Sequence, residues 1–211
     1  MRLRSHFYAM VDPAGGHEPV VLARALLDAG ARVMQLRLKD APARDFLVAA
    51  REIAKMCREC GALLIINDRA DIAMLSDADG VHLGQTDLPL AAARKLLGTG
   101  KIVGVSTASV EQARAAEAGG ADYIGFGPMY PGGLKQNPRG QGLERLRAVR
   151  AAVKIPIVAI GGITETLVPE VLAAGADAAA IITDVVKASD LAAKVRAILA
   201  TSARTSPAPH D

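Results

Sequence analysis

Four times the chain writes the same phrase: a helix-like segment, a small residue, a glycine, and then a new apolar run. It stands at Ala29-Gly30-Ala31, Cys60-Gly61-Ala62, Gly119-Gly120-Ala121 and Ala174-Gly175-Ala176. Glycine at that point is the expected helix C-cap. Between these marks the hydrophobic period switches from helical to alternating or continuous β-type. Strands are expected near Phe7–Val11, Val33–Lys39, Leu63–Asn67, Gly80–Leu83, Ile102–Ser106, Tyr123–Gly127, Ile157–Ile160 and Ala179–Thr183. Helices are expected near Pro19–Asp28, Ala43–Glu59, Ala70–Leu75, Leu90–Leu97, Val110–Ala118, Leu143–Val153, Leu167–Ala174 and Leu191–Ala200.

Strict alternation implies right-handed crossovers and a parallel sheet. Eight units within residues 1–200 point to an α/β fold, a single (β/α)8 TIM barrel. An open doubly wound sheet is the rival, but no Gly-x-Gly-x-x-Gly opens a helix after the first strand. A length of 211 residues suits one domain with a substantial core. That core is built from Ala, Val, Leu and Ile, because the chain has only three Phe, three Tyr and no Trp. Residues 201–211 are polar with two prolines and are expected to be a disordered tail.

Charge and composition remove several function classes. The net charge is +3, with no Arg/Lys block interleaved with aromatics, which argues against nucleic acid as a partner. No run of eighteen apolar residues could span a membrane. The basic N-terminus is not followed by a signal-type apolar run, so the expected location is the cytoplasm. Assembly into a homo-oligomer is left open. The two cysteines form Cys57-x-x-Cys60, but at the end of a helical run, where no helix N-terminus lowers a thiol pKa. No second pair completes a zinc site, so a structural role is expected.

A TIM barrel keeps its active site at the C-terminal ends of its strands. The second strand, Val33 to Lys39, alternates apolar Met34, Leu36 and Leu38 with polar Gln35, Arg37 and Lys39, so its polar face is expected to look into the mouth. Strand three ends in Asn67-Asp68, strand four is followed by Gln85-Thr86-Asp87, and strand five ends in Ser106. A long loop after strand six holds Lys135; strand seven ends in Gly161-Gly162 and strand eight in Ile182-Thr183. Glycines after strand seven and N–H groups after strand eight suit a phosphate cradle.

Arg37, Lys39 and Lys135 form a second anion site. Their charge would be partly cancelled by Asp68 and Asp87 unless a cation lay between, and Mg²⁺ fits. The alternative for Asp68 is a helix cap. Two anion sites on one mouth imply two phosphorylated small-molecule substrates, or one with two ends. The chemistry expected is loss of pyrophosphate coupled to joining.

Taken in order and spacing, these pieces resemble the thiamine-phosphate synthase family over roughly residues 5 to 200. They are Gln35-x-Arg37-x-Lys39, Asn67-Asp68, Gly80-Val81-His82-Leu83-Gly84-Gln85-Thr86-Asp87, Gly104-Val105-Ser106, Gly125-Phe126-Gly127-Pro128-Met129-Tyr130-Pro131 and Ile160-Gly161-Gly162-Ile163. The resemblance implies that a hydroxymethylpyrimidine diphosphate loses pyrophosphate. The pyrimidine methyl cation so formed is attacked by the ring nitrogen of a thiazole phosphate. It implies that Gln35, Arg37, Lys39, Asn67, Ser106 and Lys135 bind the pyrimidine substrate, with Arg37, Lys39, Ser106 and Lys135 catalytic. It implies that Asp68 and Asp87 hold Mg²⁺, and that Gly162, Ile182 and Thr183 meet the thiazole phosphate. Where the family shows Pro-Thr-x-Thr-Lys, this chain has Pro131-Gly132-Gly133-Leu134-Lys135, so backbone groups at Gly132, Gly133 and Leu134 would replace two hydroxyls.

Three other readings compete. A thiazole tautomerase on the same barrel would carry a His near the end of strand six, where this chain has Gly127-Pro128. A sugar-phosphate epimerase would need histidines at several strand ends, and only His82 lies in a strand after the first. A non-catalytic barrel that binds a phosphorylated ligand is distinguished by pyrophosphate release.

Overall fold

The computed structural model describes Leu3, residues 5–131 and residues 140–205. Eight strands pair in chain order, all parallel: β1 (Phe7–Val11), β2 (Val33–Leu36), β3 (Leu63–Asn67), β4 (Gly80–Leu83), β5 (Ile102–Thr107), β6 (Tyr123–Phe126), β7 (Ile157–Ile160) and β8 (Ala178–Ile181). β8 returns to β1, with Ala179 beside Phe7, and closes the barrel. Around it lie α1 (Pro19–Asp28), α2 (Ala43–Glu59), α3 (Ala70–Leu75), α4 (Leu90–Leu97), α5 (Val110–Ala118), α6 (Gly142–Ala152), α7 (Val168–Ala173), a one-turn α8 (Thr183–Val186) and α9 (Leu191–Thr205).

The repeated glycine phrase is one physical device. Gly30, Gly61, Gly120 and Gly175 all have positive φ. The alanine after each donates its N–H to a carbonyl five residues back: Ala31 to Leu26, Ala62 to Cys57, Ala121 to Ala116 and Ala176 to Val171, at 2.8–3.3 Å. This is the helix-ending turn that satisfies a loose carbonyl and reverses the chain toward the sheet. A fifth copy ends α3, where Asp77 takes the left-handed position at φ 56° and Ala78 donates to Ala73.

Alternation along the strands divides the core in two. Phe7, Ala9 and Val11 of β1 face the helices with Met34 and Leu36 of β2. Tyr8 and Met10 face the barrel axis with Val33, Ile65, Tyr123, Val158, Ala178 and Ala180. At the N-terminal end, Asp79, Asp122 and Asp177 each accept the N–H of a residue in the preceding strand: Leu64, Val103 and Ile157, at 2.7–2.8 Å. Arg94 binds Asp122 at 2.6 Å and Arg150 binds Asp177 at 3.0 Å, pinning α4 and α6 to the barrel floor.

Three expected boundaries move by two residues or more. β2 stops at Leu36, because its neighbour β1 ends at Val11, the residue paired with Leu36. Arg37 still donates its N–H to Val11, but it and Lys39 leave from the loop rather than from the strand. β8 stops at Ile181; Thr183 opens α8, whose Val185 and Val186 are buried against the outer core. α9 continues to Thr205, five residues past the expected end of the domain at 200. Gly132, Gly133, Leu134 and Lys135, and the tail beyond 205, lie outside the described residues. Among the described residues no helix is long and apolar enough to cross a membrane.

Candidate active site

At the C-terminal end of the strands a cavity of about 180 Å³ opens between the loops. Of the expected site residues, Gln35, Arg37, Asn67, Ser106 and Ile182 line it. Gly162 and Thr183 line a neighbouring open groove of about 980 Å³, which shares Ile160, Gly161, Ala180 and Ile182 with the cavity. The loop after β7 and the start of α8 are tied together by Asp184, whose carboxylate accepts the Glu165 N–H at 2.9 Å and faces Lys194 at 3.5 Å.

Gly161 and Gly162 have φ of 98° and 69°. A Cβ on Gly161 would lie 2.7 Å from Pro128 Cα, and one on Gly162 would lie 2.9 Å from the Tyr130 carbonyl oxygen. Left-handed backbone and the close approach of the β6 loop therefore account for both glycines in packing terms.

Charged groups gather on the β1–β4 side. Arg37 reaches Asp12 at 2.5 Å, and Asp12 is only 2% exposed. Lys39 stands 3.8 Å from Asp68. Asp68 follows β3 in the left-handed region, at φ 62°, with its N–H on the His82 carbonyl at 2.8 Å. That conformation, which Asp tolerates better than most side chains, separates it from a helix-cap role: the cap of α3 is Arg69. Asp87 follows β4 and accepts the Gly84 N–H at 2.6 Å.

Asp87 faces Asp68 on the same rim. Burial first, then the neighbouring Asp87 carboxyl and its charge, push the Asp68 carboxyl up to about 6, although Lys39 and Arg37 oppose the shift. Two carboxylates pressed together are an oxygen donor pair for a hard cation. Mg²⁺ takes one or two carboxylates and completes its shell with substrate oxygens and water. Among the described residues, no group of three or more His, Cys, Asp or Glu gathers around one point.

Deeper in the mouth lies a chain of polar groups that reading the strand ends did not find. Gln35 Nε2 donates to Tyr8 Oη at 3.1 Å, Tyr8 Oη meets Tyr123 Oη at 2.8 Å, Tyr123 Oη meets His82 Nδ1 at 2.9 Å, and His82 Nε2 meets Ser106 Oγ at 2.9 Å. Space for it comes from Gly104, where a Cβ would sit 2.2 Å from Tyr123 Cζ. Asp12 was missed as well. It directly follows β1, so reading that strand's end as the others were read identifies it.

Cys57 is buried at the foot of α2, and burial raises its thiol to about 12, the opposite of a reactive thiolate.

Comparison with known proteins agrees with this geometry. The family model described as thiamine monophosphate synthase matches residues 7–185. A thiamine-phosphate synthase from Moorella thermoacetica is 49% identical over 183 residues, 86% of this chain and 87% of that protein. One from Chlorobium luteolum is 46% identical over 86% of each chain. The solved thiamine phosphate pyrophosphorylase from Pyrococcus furiosus superposes with a TM-score of 0.88 at 37% identity, covering 94% of this chain and 96% of that one. The chain belongs to the thiamine monophosphate synthase family.

Proposed function

We propose that the chain carries out its family's reaction, thiamine-phosphate synthesis, with the diphosphate of the pyrimidine substrate on the β1–β4 side of the mouth. Asp68 and Asp87 hold Mg²⁺ there. When bound, the metal supplies positive charge to the diphosphate oxygens as the carbon–oxygen bond breaks. Arg37 and Lys39 face the same leaving group and stabilise the charge that develops on it. Asp12 fixes the Arg37 guanidinium, so little reorganisation is needed during the step. Lys135 adds a third cation from the loop after β6.

The pyrimidine ring occupies the cavity over Gln35, Asn67 and Ser106. The thiazole phosphate lies against Gly162, Ile182 and Thr183, in the groove that shares Ile160, Gly161, Ala180 and Ile182 with the pyrimidine cavity, and its ring nitrogen attacks the methyl cation. A thiazole tautomerase would need a proton-transfer group near the end of β6, and Gly127-Pro128 offers none.

One observation carries this reading: the Asp68 and Asp87 carboxyls face each other on the same rim as Arg37 and Lys39. Its test is pyrophosphate release by the full chain, given both substrates, with and without Mg²⁺. Release that requires the metal and both substrates is expected. Binding of both ligands without release would establish a non-catalytic barrel instead. The loop provides a finer test. The double substitution Gly132→Thr with Leu134→Thr should lower the thiazole phosphate KM and leave the pyrimidine KM nearly unchanged.

A further inference from the structure

We infer that the buried chain Gln35–Tyr8–Tyr123–His82 has a fixed direction that holds His82 as the neutral Nε2–H tautomer and turns Ser106 into a hydroxyl donor facing the cavity. The inference rests on the proposed function only for what the donor meets: a ring-nitrogen lone pair of the pyrimidine.

The direction follows from counting donors. Gln35 Nε2 can only donate, and it does so to Tyr8 Oη. Tyr8 is 2% exposed and Tyr123 is fully buried. Burial raises both phenols, Tyr8 to about 12 and Tyr123 well above its ordinary value, so each keeps its proton. Among the described residues, the one acceptor recorded for the Tyr8 O–H is Tyr123 Oη. Tyr123, accepting from Tyr8, must send its own proton to His82 Nδ1.

An imidazole that accepts at Nδ1 and is hydrogen-bonded at Nε2 carries its proton on Nε2, which donates to Ser106 Oγ. Ser106 then has its own hydroxyl proton to give, and the residue lines the cavity. The reverse direction would strand the Tyr8 proton in a fully buried position, with the whole desolvation penalty of an unmade bond. An imidazolium at His82 would strand the Tyr123 proton in the same way. Tyr8, Tyr123 and His82 are thus positioning residues: they set the polarity of Ser106.

The specificity consequence is chemical. A pyrimidine presenting a ring-nitrogen lone pair matches the donor. An analogue with C–H at that position leaves the donor unpaired, and one with N–H sets donor against donor; a site built on hydrogen bonds rejects such analogues strongly.

The test is ¹⁵N NMR of the imidazoles in the ligand-free full chain at pH 8, with His82 assigned through the resonance lost in His82→Gln. A protonated Nε2 with a bare Nδ1 is expected, and Tyr123→Phe should abolish that preference and give mixed tautomers. A predominant Nδ1–H tautomer would overturn the inference, since its bare Nε2 would take the Ser106 proton and leave Ser106 an acceptor; an imidazolium would overturn it too, since its Nδ1–H would reverse the bond to Tyr123. In kinetics, Tyr123→Phe should raise the KM for the pyrimidine diphosphate about tenfold and leave the thiazole phosphate KM unchanged. An unchanged pyrimidine KM alongside lost tautomer preference would overturn the role given to Ser106. If the wild type shows the Nε2–H tautomer but releases no pyrophosphate, the proposed function fails while the direction of the chain stands.

Discussion

At the N-terminal end of the barrel, Asp79, Asp122 and Asp177 each receive a strand N–H, and the latter two also receive an arginine. At the C-terminal end, Asp68 and Asp87 are set against each other, and Asp68 is driven up to about 6 by burial and by its partner. The first group has its oxygens occupied by the protein's own donors. The second is held in an arrangement that weakens the folded chain, and it stands in the loops where a barrel binds its ligands. The same side chain therefore ties backbone to the barrel floor at one end, and at the other stands against a second carboxyl on the rim where the proposed function places Mg²⁺.

The largest effect that would sharpen this contrast is catalytic. Asp87→Asn, or Asp68→Asn, should slow pyrophosphate release by roughly a thousandfold, about 4 kcal/mol of transition-state stabilisation. An Asp87→Asn enzyme with full activity and an unchanged Mg²⁺ requirement would break the assignment.

Next in size is a mixed case on the same rim. Arg37→Ala should cost about 3 kcal/mol of stability in denaturant titration, because it removes the guanidinium that pairs with the buried Asp12 carboxylate. Lys39→Ala, whose partner is 3.8 Å away across exposed surface, should cost less than about 1 kcal/mol. Both should raise the pyrimidine diphosphate KM. Equal stability losses would contradict the burial argument for Asp12.

At the floor, Asp122→Ala removes hydrogen bonds to Val103 and Arg94 and should cost about 2 kcal/mol. Its kcat and both KM values, measured well below the melting temperature, should match the wild type. A drop in kcat would mean that the two ends are coupled.

The smallest effect concerns pH. An Asp68 carboxyl at about 6, against an ordinary value of 3.8, means that the folded chain binds a proton the unfolded chain releases. Its contribution is therefore fully present below about 3.8 and is lost as pH rises through about 6. Asp68→Asn should recover about 1 kcal/mol at pH 8 without Mg²⁺, allowing for partial solvent exposure, seen as a rise of roughly 2–4 °C in Tm. Mg²⁺ affinity should fall as pH drops through about 6, because the proton competes with the metal.

Much of this is legible in the sequence because the device that turns each helix back to the sheet needs glycine, and glycine can be seen. The copy at Asp77 stayed hidden because aspartate tolerates the same backbone region and looks like any surface acid. The rim residues Gln35, Asn67, Asp68 and Asp87 are readable once the strand ends are known, since polar residues there have no core to join. Tyr8 and Tyr123 are not readable in this way. On the inner face of a strand a tyrosine resembles core, and its partner lies 115 residues away across the closed barrel. The extent of β2 was overread because alternation continues through Lys39, whereas strand length is set by where the neighbouring β1 ends.

The central claim, that the paired carboxylates at the mouth await a metal while those at the floor do not, is tested most directly by thermal denaturation at pH 8. The wild type, Asp68→Asn and Asp122→Ala are each measured with and without Mg²⁺ plus pyrophosphate. Ligand binding to the folded state should raise the wild-type Tm. Asp122→Ala should start lower and rise by the same increment, whereas Asp68→Asn should start higher and hardly rise. An Asp68→Asn chain that gains as much as the wild type from Mg²⁺ and pyrophosphate would contradict the account.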